Sequence, residues 1–525
     1  IPKYNLTKGV NEKKYRSISE QVINNIPIVD DWLNKDFIKK NNLTNWNECI
    51  KKLHSSTEAN NNQSKSFRRL VFDELLANFL SLSENRKRIK RSKIPKKFDN
   101  IYSKFIINKL PFSLTTSQKN VLNEINKDLL SDNRMFRIVQ GDVGSGKTIV
   151  SLLAIINVIK SGYQCALMSP TEILAKQHFE LTKKIFKGIN LEIDFLTGKT
   201  SFKNRQTILK KLSDGKTKLL IGTHALFQKK INFYKLGLVV IDEQHKFGVK
   251  QRSDLAKKGG DNCDVLLMSA TPIPRTMMMS LYGDMDISKI TEKPAQRKSI
   301  ITLSKPEKKI NELWPFIKQQ IKNDNQVFWV CPLIEQSPFL DYSSAKKRFE
   351  LINKKFRNKV GIIHGALDNN EKNNILKSFL EKKISILVST TVIEVGIDFP
   401  NANLIIIENA NKFGLAQLHQ LRGRVGRGIK QGTCVLLFKE NLSSKAIKRI
   451  KILKESNDGF FIAEEDLKLR GFGDLIGFQQ SGIKHFRFSD PVNHEDLFEL
   501  AENYTKNVEK EINQKKYYFL LKLFD

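Results

Sequence analysis

One eight-residue stretch constrains the fold more than any other part of the chain. Residues 141–148 have the sequence GDVGSGKT, follow the apolar run at 136–139 and precede a stretch with a helical pattern. Glycines let backbone N–H groups surround a phosphate at a helix N-terminus, where the helix dipole also favours negative charge. The order strand, glycine-rich loop, helix is the context that this motif requires. It predicts an α/β domain that binds a nucleotide.

The motif assigns roles to its residues. Lys147 is expected to reach the β- and γ-phosphates, and the Thr148 hydroxyl is expected to bind Mg²⁺. The other residues predicted to contact the nucleotide are Gly141, Asp142, Val143, Gly144, Ser145 and Gly146.

Two adjacent carboxylates follow about ninety residues after this loop. The apolar run 238–241 leads directly into Asp242 and Glu243. P-loop enzymes hold Mg²⁺ with the first such acid, and the second is placed to orient or deprotonate the attacking water. An acidic pair can also simply begin a helix. Its position at the carboxyl end of a predicted strand, beyond a phosphate loop, favours the catalytic interpretation.

A third motif, QLRGRVGR at 420–427, supplies arginines from a later part of the chain. Arginines beside glycines can enter a desolvated phosphate site and bind its oxygens in a fork. An arginine from a neighbouring domain accelerates phosphoryl transfer by roughly 10³–10⁵. A basic loop that touches nucleic-acid phosphates is the simpler alternative. Because the first domain has the loop, the lysine and the acids but lacks its own arginine finger, the motif favours Arg424 and Arg427 as catalytic residues.

Short apolar runs occur in two series separated by amphipathic stretches, which indicates buried parallel strands in α/β layers. The runs are 136–139, 165–168, 219–221, 238–241 and 265–268, then 327–330, 361–363, 386–388, 404–407 and 434–438. The predicted fold class is α/β, with two tandem parallel-sheet domains and helical N-terminal and C-terminal extensions. The predicted domains are 1–109, 110–300, 301–445 and 446–525, with 291–299 as a linker.

The charge balance points to a polyanionic partner. The chain has 89 Lys and Arg against 55 Asp and Glu, a formal net charge of +34. Such a charge favours nucleic acid, although a genome-wide drift toward Lys, Asn and Ile could also produce it. Within the run 86–97 eight of twelve residues are basic. This run is predicted to be either a solvated helix end or linker, or a strip that follows phosphates.

The cysteines and the apolar stretches set the predicted compartment. Five scattered cysteines without metal-ligand spacing indicate small core residues in a reducing compartment. No apolar stretch approaches the length of about 20 residues that spans a bilayer, and the chain does not open with a signal peptide. The predicted location is the cytoplasm.

In chain order, the motifs resemble those of the superfamily-two helicases and, over nearly the whole chain, those of the RecG family. The segments that carry the resemblance are 110–118, 169–172, 222–226, 242–249, 269–276, 329–335, 363–365, 390–398, 420–427 and 470–482. The chain departs from the family pattern at Lys246, Phe472 and Gln479.

The resemblance implies two RecA-like domains and a role for each matching residue. Catalytic residues are expected to be Glu243, Arg424, Arg427 and Gln420. In addition to the phosphate loop and Asp242, contacts to ATP are expected from Gly396 and Asp398, and from Phe112 and Gln118 in the segment that resembles the adenine-reading element, where Gln118 is expected to contact the edge of the base. Nucleic-acid contacts are expected from Thr171, Thr223, His224 and Thr391. Residues expected to couple hydrolysis to movement are Ser269, Thr271, Arg470 and Gln480.

The implied function is an ATP- and Mg²⁺-dependent DNA helicase or translocase that remodels stalled forks and Holliday junctions. Its implied partners are branched or duplex DNA and a single-strand-binding protein, and the chain is expected to be a monomer. Family members begin with a wedge domain that carries an OB fold, and residues 1–109 resemble only the region on the C-terminal side of that domain. The chain is therefore either a fragment or a shortened variant. Alternatives are a translocase of the transcription-repair coupling type, an RNA helicase or a non-catalytic nucleic-acid-binding scaffold.

Overall fold

The structure is a computed structural model. It describes residues 11–54, 64–89, 92–228, 230–243, 259–270, 272, 285–294, 297–332, 338–390, 399–428, 430–470, 486–490, 493–508 and 515–524. Contacts group the chain into two compact units. The first unit comprises Ile1–Ile89, Arg275–Asp284 and Gly471–Asp525, and the second comprises Lys90–Pro274 and Met285–Arg470.

The helices of the described residues are α1 (Glu12–Asn24), α2 (Lys35–Lys40), α3 (Trp46–Leu53), α4 (Lys65–Ile89), α5 (Ile101–Lys109), α6 (Thr116–Leu130), α7 (Lys147–Lys160), α8 (Glu172–Ile185), α9 (Phe202–Ser213), α10 (Leu313–Lys322), α11 (Pro338–Lys355), α12 (Asn369–Leu380), α13 (Leu415–Arg422), α14 (Ser444–Glu455), α15 (Gly459–Arg470), α16 (Glu495–Val508) and α17 (Lys515–Phe524). The strands are β1 (Phe136–Gly141), β2 (Gln164–Met168), β3 (Ile193–Leu196), β4 (Leu219–Gly222), β5 (Leu236–Ile241), β6 (Asp264–Ser269), β7 (Asp286–Ile290), β8 (Ile301–Pro306), β9 (Gln326–Val330), β10 (Val360–Ile363), β11 (Ile386–Ser389), β12 (Ala402–Ile407) and β13 (Thr433–Phe438).

The second unit contains two parallel sheets. The first has the strand order β3-β4-β2-β5-β6-β1-β7, and the second has the order β10-β11-β9-β12-β13-β8. Every strand pair in both sheets is parallel. We call the first sheet with its helices (residues 92–290) the first lobe and the second sheet with its helices (residues 301–470) the second lobe. The prediction of two tandem parallel-sheet domains with helical extensions is confirmed.

All ten predicted apolar runs lie within strands, but three further strands were not predicted from the sequence. These are β3 and β7 at the two edges of the first sheet, and β8 at one edge of the second. Most of their residues are only partly buried or are exposed. An edge strand is covered on fewer sides than a central one, so it needs no continuous apolar run, and the pattern that identified the other strands is missing.

The basic run at 86–97 contains two lysines for which both predicted alternatives are wrong. The side chains of Lys93 and Lys96 are fully buried, and both form ion pairs with Asp264 at the start of β6. Lys93 Nζ lies 2.8 and 2.9 Å from the two carboxylate oxygens, and Lys96 Nζ lies 5.1 Å from the centre of the Tyr163 ring. These lysines fasten the segment to the first lobe, so they are neither solvated nor available to nucleic-acid phosphates.

Helix α5 also belongs to the first lobe by its contacts. Ile106 of this helix is buried in the same core as the apolar residues of α7, including Leu152 and Ile156. The predicted domain limits stay predictions, and the stretch 92–109, predicted as part of the N-terminal region, packs on the first sheet domain.

The first unit has its own core around α4. Phe72, Leu75 and Leu76 of this helix are fully buried with Trp32 and with Phe498 of α16. Asp73 accepts a hydrogen bond from Trp32 Nε1 at 2.8 Å and pairs with the buried Arg69. Apolar residues recur at a helical period from Phe67 to Leu80, so the buried face of this helix is visible in the sequence.

The five cysteines are buried and free of disulfide bonds, as core residues would be. Within the described parts of the chain, we find no helix that is both long and apolar enough to cross a lipid bilayer.

Candidate active site

The phosphate loop connects β1 to α7, as the motif requires. β1 ends at Gly141 and α7 begins at Lys147, directly after Gly146. Gly146 has φ +87° and Gly144 has φ +76°, a region that side chains with a Cβ rarely adopt. A Cβ at Gly146 would also lie only 2.3 Å from Gln118 Nε2. Both the turn and its close packing therefore need glycine.

Lys147 points into the loop that precedes it. Its Nζ donates to the carbonyl oxygens of Gly141 at 2.7 Å and of Asp142 at 3.1 Å. Burial lowers the pKa of Lys147, although the carboxylates of Glu243 and Asp242 act in the opposite direction. The ammonium group thus lies inside the loop, close to two acids, where a phosphate chain could replace the carbonyl oxygens as its partner.

A cavity of about 1420 Å³ lies between the two lobes of the second unit. On the first lobe its wall includes Val143, Gly144, Gly146, Lys147, Thr148, Asp242 and Glu243, and on the second lobe it includes Arg424 and Arg427. The cavity continues along α8 and α9 on one side and α12 on the other. The lysine, the acids and the arginines that the sequence analysis selected separately therefore face one common space.

Asp242 follows β5 and lies next to a histidine that the sequence analysis did not select. Asp242 Oδ2 lies 2.8 Å from His178 Nε2 of α8, and Oδ1 accepts from the backbone N–H of Glu243 at 3.0 Å. Burial alone would raise the pKa of Asp242, but the hydrogen bond from His178 and the nearby Lys147 lower it. Asp242 is therefore held as a carboxylate, the form that binds a divalent cation.

Glu243 has an unusual backbone conformation. Its φ of +49° places a residue with a full side chain in the left-handed region, a conformation that stores strain and occurs often at active sites. Its Oε2 accepts from the backbone N–H of Ala270 at 3.4 Å. Burial and the charge of Asp242 raise the pKa of Glu243. A carboxylate with a raised pKa, facing the cavity, is suited to accept a proton from water.

The arginine motif lies at the end of α13 and in the turn that follows. Arg424 is 4% exposed, and Arg427 Nε donates to the carbonyl oxygen of Gly423 at 3.1 Å. Gln420 lies half-buried on α13 itself. A buried arginine at the wall of this cavity can bind anionic oxygens with little competition from water.

The residues expected to contact the adenine base lie beside the loop. Gln118 Nε2 donates to the carbonyl oxygen of Ser145 at 2.7 Å, and its Oε1 accepts from the backbone N–H of Thr115 at 2.9 Å. Phe112 is partly buried against the core of the first lobe. Gln118 is thus hydrogen-bonded to the phosphate loop, and its contact with the base stays a prediction.

The residues expected to contact nucleic acid occupy neighbouring strand ends of the first lobe. Thr171 begins α8, where its Oγ1 accepts from Leu174 N–H at 3.4 Å. Thr223 is buried after β4, the neighbour of β2, and His224 beside it is exposed. Of the remaining predicted residues, Ser269 is fully buried at the end of β6. Thr271, Thr391, Gly396, Asp398 and Gln480 lie outside the described residues.

Arg470, expected to couple hydrolysis to movement, ends α15 next to the start of α13. Its Nε donates to Asp466 Oδ1 at 3.1 Å. The same carboxylate accepts from the backbone N–H groups of Leu415 at 3.1 Å and Ala416 at 3.4 Å. Asp466 therefore caps the N-terminus of the helix that leads to Arg424.

Three further residues around the phosphate loop were not selected from the sequence. His419 Nε2 lies 2.7 Å from Asp142 Oδ1, and Lys293 Nζ lies 2.7 Å from Asp142 Oδ2. Arg297 donates to the carbonyl oxygen of Val143 and, at 3.3 Å, to that of Gly423. His419 directly precedes the arginine motif, while Lys293 and Arg297 belong to the predicted linker. The signal available in the sequence was their position next to the arginine motif or within the linker. No local sequence pattern identifies the residues that they contact.

The environment of Asp142 differs from that expected of a nucleotide contact. Burial alone would raise the pKa of its carboxyl group, but the hydrogen bond from His419 and the ammonium of Lys293 hold the pKa well below its usual range. Among the described residues that form the cavity wall, Asp142 is not present. Its carboxylate is directed to the second lobe and the linker.

The site also provides a fit for Mg²⁺. Asp242 supplies a buried carboxylate and Thr148 supplies a hydroxyl, and both line the same cavity. These are oxygen donors, which Mg²⁺ prefers, and it commonly completes its shell with water and substrate phosphates. The described residues contain no group of three or more His, Cys, Asp or Glu that could hold a metal by themselves. One carboxylate and one hydroxyl fit a cation that arrives with a triphosphate.

Three family models match the chain. The model for the DEAD/DEAH box helicase matches residues 115–280, and that for the helicase conserved C-terminal domain matches residues 308–428. The model for the C-terminal part of domain 3 of the ATP-dependent DNA helicase RecG matches residues 456–515.

Curated relatives match over most of this chain. The ATP-dependent DNA helicase RecG of Thermotoga maritima is 41% identical over 518 residues, which cover 97% of this chain and 66% of the relative. The RecG protein of Synechocystis is 42% identical, with 95% of this chain and 60% of the relative covered. That of Bacillus subtilis is 40% identical, with 97% and 75% covered. The chain thus spans about two thirds of the length of these relatives.

Solved structures agree with these relatives. A structure of RecG bound to a three-way DNA junction has a TM-score of 0.72 and 36% sequence identity, covering 95% of this chain and 65% of that one. A structure of Mss116p bound to single-stranded RNA and AMP-PNP has a TM-score of 0.51 at 20% identity, covering 80% and 89%. The second match concerns the fold alone.

Proposed function

Because the chain belongs to the RecG family of ATP-dependent DNA helicases, we propose that it hydrolyses ATP to move along duplex DNA and to remodel branched DNA such as stalled forks and Holliday junctions. The observation that carries this proposal is the cavity in which Lys147 of the first lobe faces Arg424 and Arg427 of the second. Hydrolysis in such a site depends on the distance between the lobes, and this dependence is what a motor requires.

The proposed reaction transfers the γ-phosphoryl group of ATP to water. The water oxygen forms a bond to the γ-phosphorus while the bond to the β,γ-bridging oxygen breaks, and ADP and phosphate leave. Glu243 accepts the proton of the water. Lys147 and the two arginines neutralise the charge that develops on the phosphoryl oxygens. When bound by Thr148 and Asp242, Mg²⁺ would supply further positive charge to the phosphates.

Branched DNA as the substrate is supported by the similarity to RecG bound to a three-way junction and by the net charge of +34. A strongly basic surface binds DNA mainly through its phosphates. The transcription-repair coupling alternative has no observation in its favour, because RecG relatives match 97% of this chain.

Three finer predictions belong to the same proposal. The chain is expected to act as a monomer in the cytoplasm, which sedimentation and localisation of a tagged chain would test. It is also expected to contact a single-strand-binding protein, and co-precipitation of the two purified proteins would test this contact.

The decisive experiment measures ATP hydrolysis with and without three-way-junction DNA. We expect DNA-stimulated hydrolysis for the unaltered chain and none above background for Lys147→Ala, because the ammonium group that binds the β- and γ-phosphates is gone. Lys119→Ala is the matched control, since Lys119 is an exposed lysine of the first lobe. Equal rates for the unaltered chain and Lys147→Ala would leave the non-catalytic scaffold as the better description.

A further inference from the structure

Asp142 belongs to the phosphate loop but makes its side-chain contacts with the other lobe and the linker. His419 of α13 and Lys293 of the linker each lie 2.7 Å from one of its carboxylate oxygens. Asp142 and His419 are 7% and 5% exposed. Contacts this short and this buried are geometrically specific, because neither group can exchange its partner for water.

The histidine is oriented by an arginine on its far side. Arg422 Nη2 donates to His419 Nδ1 at 2.8 Å. A guanidinium has only donors, so Nδ1 must accept and the ring proton must be on Nε2, which then donates to Asp142. Arg422 is itself held by the carbonyl oxygens of Leu453 at 2.6 Å and Ser456 at 2.8 Å. A directed chain of hydrogen bonds therefore runs from the α14–α15 connection to the phosphate loop.

Two glycines beside these hydrogen bonds are packed too closely for any residue with a Cβ. A Cβ at Gly459, the first residue of α15, would lie 2.9 Å from His419 Nε2 and 3.2 Å from Asp142 Cγ. A Cβ at Gly423 would lie 3.1 Å from Val143 Cβ. The start of α15 and the end of α13 therefore both abut the phosphate loop at Asp142 and Val143.

The same two helices are joined at their other ends. Asp466 of α15 caps the N-terminus of α13 and pairs with Arg470. Helices α13 and α15 are thus tied to each other by the cap and to the phosphate loop by His419. Since α13 leads directly into Arg424, the position of this arginine depends on where His419 meets Asp142.

We propose that Asp142, His419 and Arg422 are positioning residues that hold Arg424 in register with the phosphate loop, so that the arginine reaches the reacting phosphate only while this buried chain is intact. The proposal rests on the proposed ATPase function and adds an assignment to it. None of the three residues touches the reacting atoms in this assignment. A displacement of a catalytic group by about 1 Å can lower a rate about 10²-fold, so a positioning chain of this kind can control the rate.

The test compares two substitutions of the same histidine. His419→Ala removes the central link of the hydrogen-bond chain. It is expected to lower kcat for DNA-stimulated ATP hydrolysis about 10- to 100-fold. KM for ATP should stay within about threefold, because Lys147, Thr148 and Asp242 are unchanged. His419→Gln should recover most of the rate, since the amide oxygen can accept from Arg422 and the amide N–H can donate to Asp142. Lys308→Ala, which removes an exposed ion pair with Glu440, is the control.

A second set of variants approaches the contact from the first lobe. Asp142→Leu should reproduce the loss of His419→Ala, and the double variant should be no slower than either single one, because both break one chain. Thermal melts identify any variant that fails to fold. If one of His419→Ala and Asp142→Leu does not fold, the kcat of the other tests the proposal. Independent, multiplying losses in the double variant would overturn the proposal.

The other outcomes are equally distinct. An unchanged kcat in His419→Ala would overturn the inference, as would a change confined to KM. If His419→Gln is as slow as His419→Ala, the imidazole itself acts in the chemistry and the positioning role is wrong. If the unaltered chain hydrolyses no ATP, the proposed function fails before this question arises.

Discussion

The two lobes are built on the same frame, but only the first has a glycine-rich loop after its first strand. Taken in chain order, β1 to β6 of the first sheet and β8 to β13 of the second occupy corresponding positions in the strand orders. β1 is followed by the glycine-rich loop and α7, whereas the corresponding β8 ends at Pro306 and continues into a 3₁₀ turn, Glu307–Glu312. The frame is therefore shared, and the loops determine what each lobe can do.

The acids at corresponding strand ends sharpen this comparison. Asp242 follows β5 and faces the cavity. Glu408 follows β12, the corresponding strand, but its carboxylate accepts from Trp329 Nε1 and pairs with Arg348. One strand end thus presents a carboxylate to the cavity, and the other uses the same charge to join neighbouring elements of the second lobe. Function in this fold depends on the loops at the strand ends and on their neighbours.

The largest expected effect is at Arg424, and it tests whether the first lobe binds ATP while the second lobe contributes to catalysis. Arg424→Ala should lower kcat for ATP hydrolysis by about 10³–10⁵, because an arginine from a second domain acts chiefly on the transition state. Affinity for a fluorescent ATP analogue should change little, in contrast to Lys147→Ala, which should lose both. Arg357→Ala, an exposed arginine of the second lobe, serves as the control. If Arg424→Ala lost affinity as fully as Lys147→Ala, the division of roles between the lobes would be wrong.

A smaller but still large effect is expected at Glu243. Glu243→Gln should lower kcat about 10²–10⁴-fold, the usual contribution of a general base. Because burial and Asp242 raise its pKa, the base becomes protonated, and hydrolysis declines, at a higher pH than the usual glutamate value of 4.5 would give. The pH profile of kcat/KM measures this acidic limb. A limb at or below the ordinary value would contradict the role of Glu243 as the base.

The smallest effects concern the buried ion pairs of each lobe. Asp264→Asn leaves the buried Lys93 and Lys96 without their counter-ion, so the free energy of unfolding of the first lobe should fall by about 3–5 kcal/mol. Glu408→Gln should lower that of the second lobe by only about 1 kcal/mol, since it affects one cation, Arg348, whose side chain is 16% exposed and keeps some contact with water. Hydrogen exchange, resolved by segment, measures both, with Asp214→Asn at an exposed site as the control. Equal losses would remove the distinction between the two pairs.

Structural features that depend on residues close together in the chain could be predicted from the sequence. The glycine-rich loop, nine central strands, the edge strand β10 and the helix that includes Phe67 each have a local pattern. Strands and helices place side chains on one face at a period of two or 3.6 residues, and short buried strands appear as apolar runs. The edge strands β3, β7 and β8 have no such pattern, since partial exposure relaxes the choice of side chains. The burial of Lys93 and Lys96 was not predicted either, because their partner Asp264 is distant in the sequence and no local pattern indicates the ion pair.

The sequence by itself identified the groups that we propose bind and hydrolyse a nucleotide, because Lys147, Asp242 and Arg424 each lie in a short motif. Only the tertiary structure decided the partners of those groups. Asp142 and His419 are 277 residues apart in the chain yet lie 2.7 Å apart in the fold. A contact of this kind depends on the packing of two whole lobes, and no short stretch of sequence contains that information.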